Sequence, residues 1–255
     1  SKAKAGGRVR SVLRTYLARV KAFSPNARKY LIGIIIYGAA IGIYQLLFNF
    51  YVLSLGYNEA VLGNLVTARS ATTLIVALPV GYLADRIGKK LALIIGQGAV
   101  GAAILLMILF PSLPMFLLMN IVIGFAQSLA AVAMGPFLME NSGELERTYL
   151  FSMQSGLQMA ANSAGDWLGG YLPSWFGKIF NVAPVSSTAY AWAIGMAGAL
   201  VISTVIPRLA LRGDKEIHES RAAFAPIAFG RKHPGLLAKL LLPMFVTSIG
   251  AGLIM

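Results

Sequence analysis

The chain has 255 residues, 57% hydrophobic and 12% charged, with a net charge of +13 and no cysteine. Soluble domains carry about 25% charged residues, so this composition excludes an ordinary soluble fold and points to the membrane class. Disulfides and thiolate metal sites are excluded, and the only histidines, His218 and His233, fall short of a zinc site in their polar connector.

The charge is unevenly placed. Nine Lys/Arg precede Tyr30, three follow the second apolar stretch, Arg147 follows the fourth, and seven lie between Arg208 and Lys239. Only Lys178 falls in an opposite gap, and Arg69 lies within an apolar stretch. This is the positive-inside pattern, not a nucleic-acid surface: it puts the N-terminus and even-numbered loops in the cytoplasm, in the cell (inner) membrane. No nucleic-acid partner is expected, and the lipid bilayer is the first partner implied.

In residues 1–29, Val9, Val12, Leu13, Tyr16, Leu17, Val20 and Phe23 recur at helical steps among Arg8, Arg10, Arg14, Arg19 and Lys21. That spacing predicts a basic amphipathic helix on the cytosolic leaflet, ended by Ser24-Pro25. A mitochondrial presequence shares this look, because no acidic residue precedes Glu59. Seven apolar stretches follow, near 30–54, 59–84, 90–110, 114–139, 148–173, 187–207 and 236–255. Each is long enough to cross a hydrocarbon core ~30 Å thick, which takes about 20 residues.

The first stretch carries a polar-aromatic stripe of Tyr37, Tyr44, Gln45 and Asn49. The second carries Arg69, ten residues past Glu59 and so about 15 Å deep at 1.5 Å per residue. A cation at that depth costs about 2.5–3.5 kcal/mol on insertion scales and calls for a functional explanation. The turn after it reads Gly81-Tyr82-Leu83-Ala84-Asp85-Arg86-Ile87-Gly88-Lys89-Lys90-Leu91-Ala92-Leu93.

That turn resembles the G-x-L-a-D-r-x-G-r-k-x-x-l signature of major facilitator superfamily (MFS) transporters, found between their second and third membrane helices. The resemblance implies that the first and fourth helices line a central cavity while the second and fifth flank the opposite half. It implies that Asp85 stabilises the outward-facing state by meeting a helix N-terminus of that half, where partial positive charge favours a carboxylate. Arg86, Lys89 and Lys90 would hold the turn with Glu140 as their partner, while Gly88 permits the turn and Gly81 a close crossing.

In the fourth stretch Asn120 and Gln127 are seven apart, and Asn120 stands where many proton-driven members show an arginine. The fifth carries Gln154, Gln158, Asn162 and Asp166 at steps of four, hence along one face. Such a stripe either lines a cavity or hydrogen-bonds neighbouring helices; its terminal carboxylate favours the cavity. Residues 161–170 resemble in part the g-x-x-x-G-P-x-x-G-G motif of the family's proton-coupled antiporters, with Asp166 at the proline position. Asp166 is then a protonation site, and Arg69 an anion anchor or counter-charge. The outer connection is expected from Pro173 to Ser186, with Trp175 and Lys178 at the interface.

The connector 209–233 resembles the linker between the superfamily's two six-helix halves. In 234–255, Thr247-Ser248-Ile249-Gly250 echoes the Gly-containing first helix, as a parallel repeat would. The expected fold is therefore an all-α membrane protein, an MFS-like helical bundle. It comprises a cytosolic segment (1–29), a six-helix N-terminal bundle (30–208), a linker (209–233) and the seventh helix (234–255). The resemblance implies that five further helices, completing a C-terminal bundle, belong to the same polypeptide. The function implied is secondary active transport of a small-molecule substrate by alternating access, with protons as one coupling ion. No catalytic constellation, cofactor motif or P-loop is present. A non-transporting scaffold is one alternative. A seven-helix receptor or photoreceptor with Lys239 as a retinal site is another, opposed by the charge-derived orientation.

Overall fold

The structure, a computed structural model, describes residues 24–140, 142–209 and 235. The chain divides into two compact units, Ser1–Ile217 and His218–Met255. The expected amphipathic segment, most of the linker and the seventh span lie outside the described residues.

Within the first unit the described elements are α1 (Pro25–Ser54), α2 (Glu59–Ile87), α3 (Lys89–Leu109), α4 (Leu113–Glu140), α5 (Glu144–Phe180), α6 (Ser187–Ser203) and the short α7 (Val205–Leu209). Their ends follow local chemistry. The Ser24 hydroxyl accepts from Ala27 N–H at 3.1 Å, with Pro25 at the first helical position. Asn58 accepts from Val61 N–H at 3.1 Å, and Ser186 from Ala189 N–H at 3.2 Å. Gly88, at φ 87°, ends α2 and opens α3, a backbone geometry that disfavours any side chain.

Ala27–Ser54, Glu59–Ile87, Lys89–Leu109, Leu113–Glu140 and Ser187–Leu209 are each long and apolar enough to span a membrane. They coincide with five of the expected stretches. The stretch expected near 148–173 is helical but too polar to qualify, because Gln154, Ser155, Gln158, Asn162 and Asp166 fall within it. It is also longer than expected: α5 runs through Pro173 to Phe180, so the connection spans only Asn181–Ser186. Neighbouring helices can re-satisfy the backbone groups that a proline frees in such a helix. Asn181 stops α5 in the left-handed conformation at φ 53°, with Val182 N–H bonded to Gly177 O at 2.9 Å.

Small residues set the packing. α1 and α5 run parallel, with Gly38 and Gly42 against the α5 backbone at Gln158 and Asn162, and Gly165 against the Ala39 carbonyl. α2 and α4 also run parallel, with the backbone at Arg69 pressed on Gly124. α3 and α6 are antiparallel and meet at Gly101 and Gly198. Two apolar clusters result. One joins Tyr44, Leu65, Ile104, Phe116, Ile123 and Leu172; the other joins Tyr30, Val80, Leu93, Leu129, Phe137 and Leu150.

Candidate functional site: a polar belt between two apolar clusters

Every long helix but α6 passes from one cluster to the other, and the gap between them is polar. On α2 the gap holds Arg69, Thr72 and Thr73; on α4, Gln127 and Ser128; on α3, Gln97; on α5, Gln158, Asn162 and Asp166. Tyr37 borders it on α1. This belt lies about halfway along the helices, where uncompensated polar groups cost most.

Its α1–α2–α4 sector is built around Arg69. Tyr37 is buried on α1 near Gln127 of α4. The Tyr44 hydroxyl is buried with no hydrogen-bond partner. Arg69 is half-buried and within electrostatic range of Tyr37 and Tyr44, and Arg208 of α7 is within the same range of Tyr37. The Thr73 hydroxyl lies 3.0 Å from the Arg69 carbonyl and 3.2 Å from that of Gly124, fixing this turn of α2 on α4. Among the described residues no carboxylate pairs with Arg69; the ion pair found is Lys89–Glu140.

The α5 sector is the stripe of amides. Gln154 is buried and donates to Gln158 Oε1 at 2.8 Å, while Gln158, Asn162 and Asp166 are half-buried. The Asp166 backbone abuts Gly42 of α1, whereas the Arg69 backbone abuts α4. The two ionisable groups therefore belong to different helix pairs and form no ion pair with each other. Gln45 and Asn49 lie exposed on α1, outside the belt. Asn120, 2% exposed, donates to the Phe116 carbonyl at 2.8 Å and meets Met107 Sδ at 3.9 Å, so its amide is spent inside the α3–α4 packing.

At the Gly88 end the signature turn is held from several sides. Lys89 forms an ion pair with Glu140, and Lys90 donates to the Leu209 carbonyl at 3.2 Å. The Arg86 guanidinium lies 5.9 Å from the Tyr82 ring centre, and Asp85 is exposed at the end of α2. Gly81 faces Val132 of α4.

Two groups escape sequence reasoning. Gln97 and Thr204 form a buried hydrogen bond of 3.2 Å between α3 and the end of α6; the only signal is a lone polar Gln97 in one apolar stretch and the Ser203-Thr204 pair in the other. Arg208, which reads as a cytosolic cation, is wholly buried against Tyr30 and Gly33 of α1. Its place after Pro207 gives no hint that it turns inward.

Residues 30–255 match the family profile described as Major Facilitator Superfamily. No curated protein matches the chain.

Proposed function

Because the chain belongs to the major facilitator superfamily, and so is a multi-pass membrane transporter, we propose that it moves a small solute bearing an anionic group by alternating access. The observation that carries this reading is Arg69: a half-buried cation in the polar belt that also holds Gln127 and is bordered by Tyr37, with no carboxylate partner among the described residues. An arginine there supplies parallel donors to a carboxylate or phosphate, and the low-dielectric flanks above and below strengthen the attraction. The buried tyrosines and the half-buried Gln127 amide of the same region would add orientation through hydrogen bonds.

The exposed apolar faces of α2 and α5, including Leu74, Ile75, Leu78, Met159 and Trp167, support the second half of the mechanism. Exposed large apolar side chains on these helices suit lipid or a sister bundle, and two bundles rocking about a midplane site give alternating access. Asp166 serves as the proton-coupling group in this scheme, on the helix packed along α1. The basic ends of α1, α2 and α3 face the cytoplasm, and the membrane is the inner one.

The test is flux of candidate organic anions into vesicles holding the full-length protein. Arg69→Gln removes the charge-assisted hydrogen bonds and should weaken apparent substrate affinity about ten- to a hundredfold. Unchanged affinity in a folded Arg69→Gln protein would contradict the anchor role.

A further inference from the structure

The transport scheme leaves Arg208 unused, and its surroundings are unusual. It is the fourth residue of α7 and one residue short of the end of the span Ser187–Leu209, yet it is 0% exposed. Its Nη1 donates to the Thr204 carbonyl at 2.7 Å, and its guanidinium carbon stands 5.6 Å from the Tyr30 ring centre. Nε and Nη2 have no acceptor. Gly33 makes this position possible, because a Cβ there would lie 2.8 Å from Nη1 and 3.4 Å from Nη2. α1 therefore contributes a notch and an aromatic wall, and α7 inserts a cation between them.

A carbonyl and a ring face do not neutralise a desolvated guanidinium, which is costly until an anion completes it. Nε and Nη2 form the side-on edge of the fork, whose two parallel N–H bonds suit an oxyanion bidentately. One more cation adjoins: Lys90 reaches the carbonyl of Leu209, the next residue. The end of a span is also the depth at which lipid headgroups lie.

We infer that this corner of α1, α3 and α7 binds an anionic phosphate group through Nε and Nη2 of Arg208. An anionic phospholipid headgroup and a free phosphate share that chemistry. α7 is five residues long and set off from α6 at Thr204, and binding requires it to shift so that the buried donor edge opens to the headgroup layer. The site is tested without a transport assay.

The full-length protein in neutral detergent is titrated with phosphatidylglycerol, with a phosphate-free glycolipid, and with inorganic phosphate against chloride at matched ionic strength. Thermal unfolding is followed by tryptophan fluorescence. A saturable rise in Tm with phosphatidylglycerol but not with the glycolipid is the expected result. Saturation by inorganic phosphate as well assigns the site to free phosphate; saturation by the lipid alone assigns it to a headgroup. Arg208→Gln should abolish the saturable rise. Arg208→Lys keeps the charge without the parallel donors and should need about tenfold more probe for half-saturation; it carries the test alone if Arg208→Gln fails to fold. Absence of saturation with both phosphate-bearing probes overturns the inference, as does equal half-saturation in Arg208→Lys and the unaltered protein.

Discussion

An arginine or aspartate halfway across a membrane helix announces itself in sequence, because the cost of placing it there demands a reason. Arg69 and Asp166 are legible in that way, and the structure sets both in the belt between the apolar clusters. Their partners are not legible, since these depend on how each helix is rotated about its axis. Asn120 illustrates this: its spacing from Gln127 suggests a shared face, but its amide is consumed by Phe116 and Met107. Arg208 illustrates it again, because a cation at the end of a span reads the same whether it turns to water or inward. For Asp166, in the proton-coupling scheme, replacement by Asn keeps size and hydrogen bonding but removes the titrating proton. Vesicle assays should show that Asp166→Asn loses accumulation driven by a pH gradient while retaining downhill exchange. Undiminished pH-driven accumulation would remove Asp166 from the coupling step.

Helix boundaries are legible where capping chemistry marks them, at Ser24-Pro25, Asn58-Glu59, Gly88 and Ser186. Pro173 misleads, because a proline reads as a stop although α5 continues to Phe180. Packing partners follow from glycine placement, but only three dimensions show which glycines matter. Gly165 abuts the Ala39 carbonyl of α1, whereas Gly156 on the same helix meets nothing within 4 Å of an added Cβ. Gly165→Leu should therefore destabilise the α1–α5 pair by about 1–3 kcal/mol, as overpacking does. Gly156→Ala should leave thermal stability in detergent nearly unchanged. Equal stability of the two variants would show that the α1–α5 approach is looser than the structure has it. The Lys89–Glu140 pair is partly exposed, and pairs of that kind contribute little to stability; its value lies in fixing α3 and α4 at the signature turn.

At the scale of the whole molecule, the described helices form a bundle with one basic end, a polar midline and apolar flanks. Composition alone makes the membrane class legible, and the uneven charge predicts an orientation. The grouping of polar residues into a single belt is not legible, because it needs the relative heights of five helices. Transport by alternating access requires that belt to be reached by water from each side in turn. These 255 residues contain no cysteine, so single cysteines placed among them, in a protein cleared of any cysteine elsewhere, report this directly. A membrane-impermeant thiol reagent is applied from either side of vesicles carrying Gln127→Cys, Arg147→Cys or Val185→Cys in the full-length protein. Arg147→Cys should react only from the cytoplasmic side, Val185→Cys only from the opposite side, and Gln127→Cys from both. Reaction of Arg147→Cys and Val185→Cys from the same side, or of Gln127→Cys from one side alone, would contradict the account.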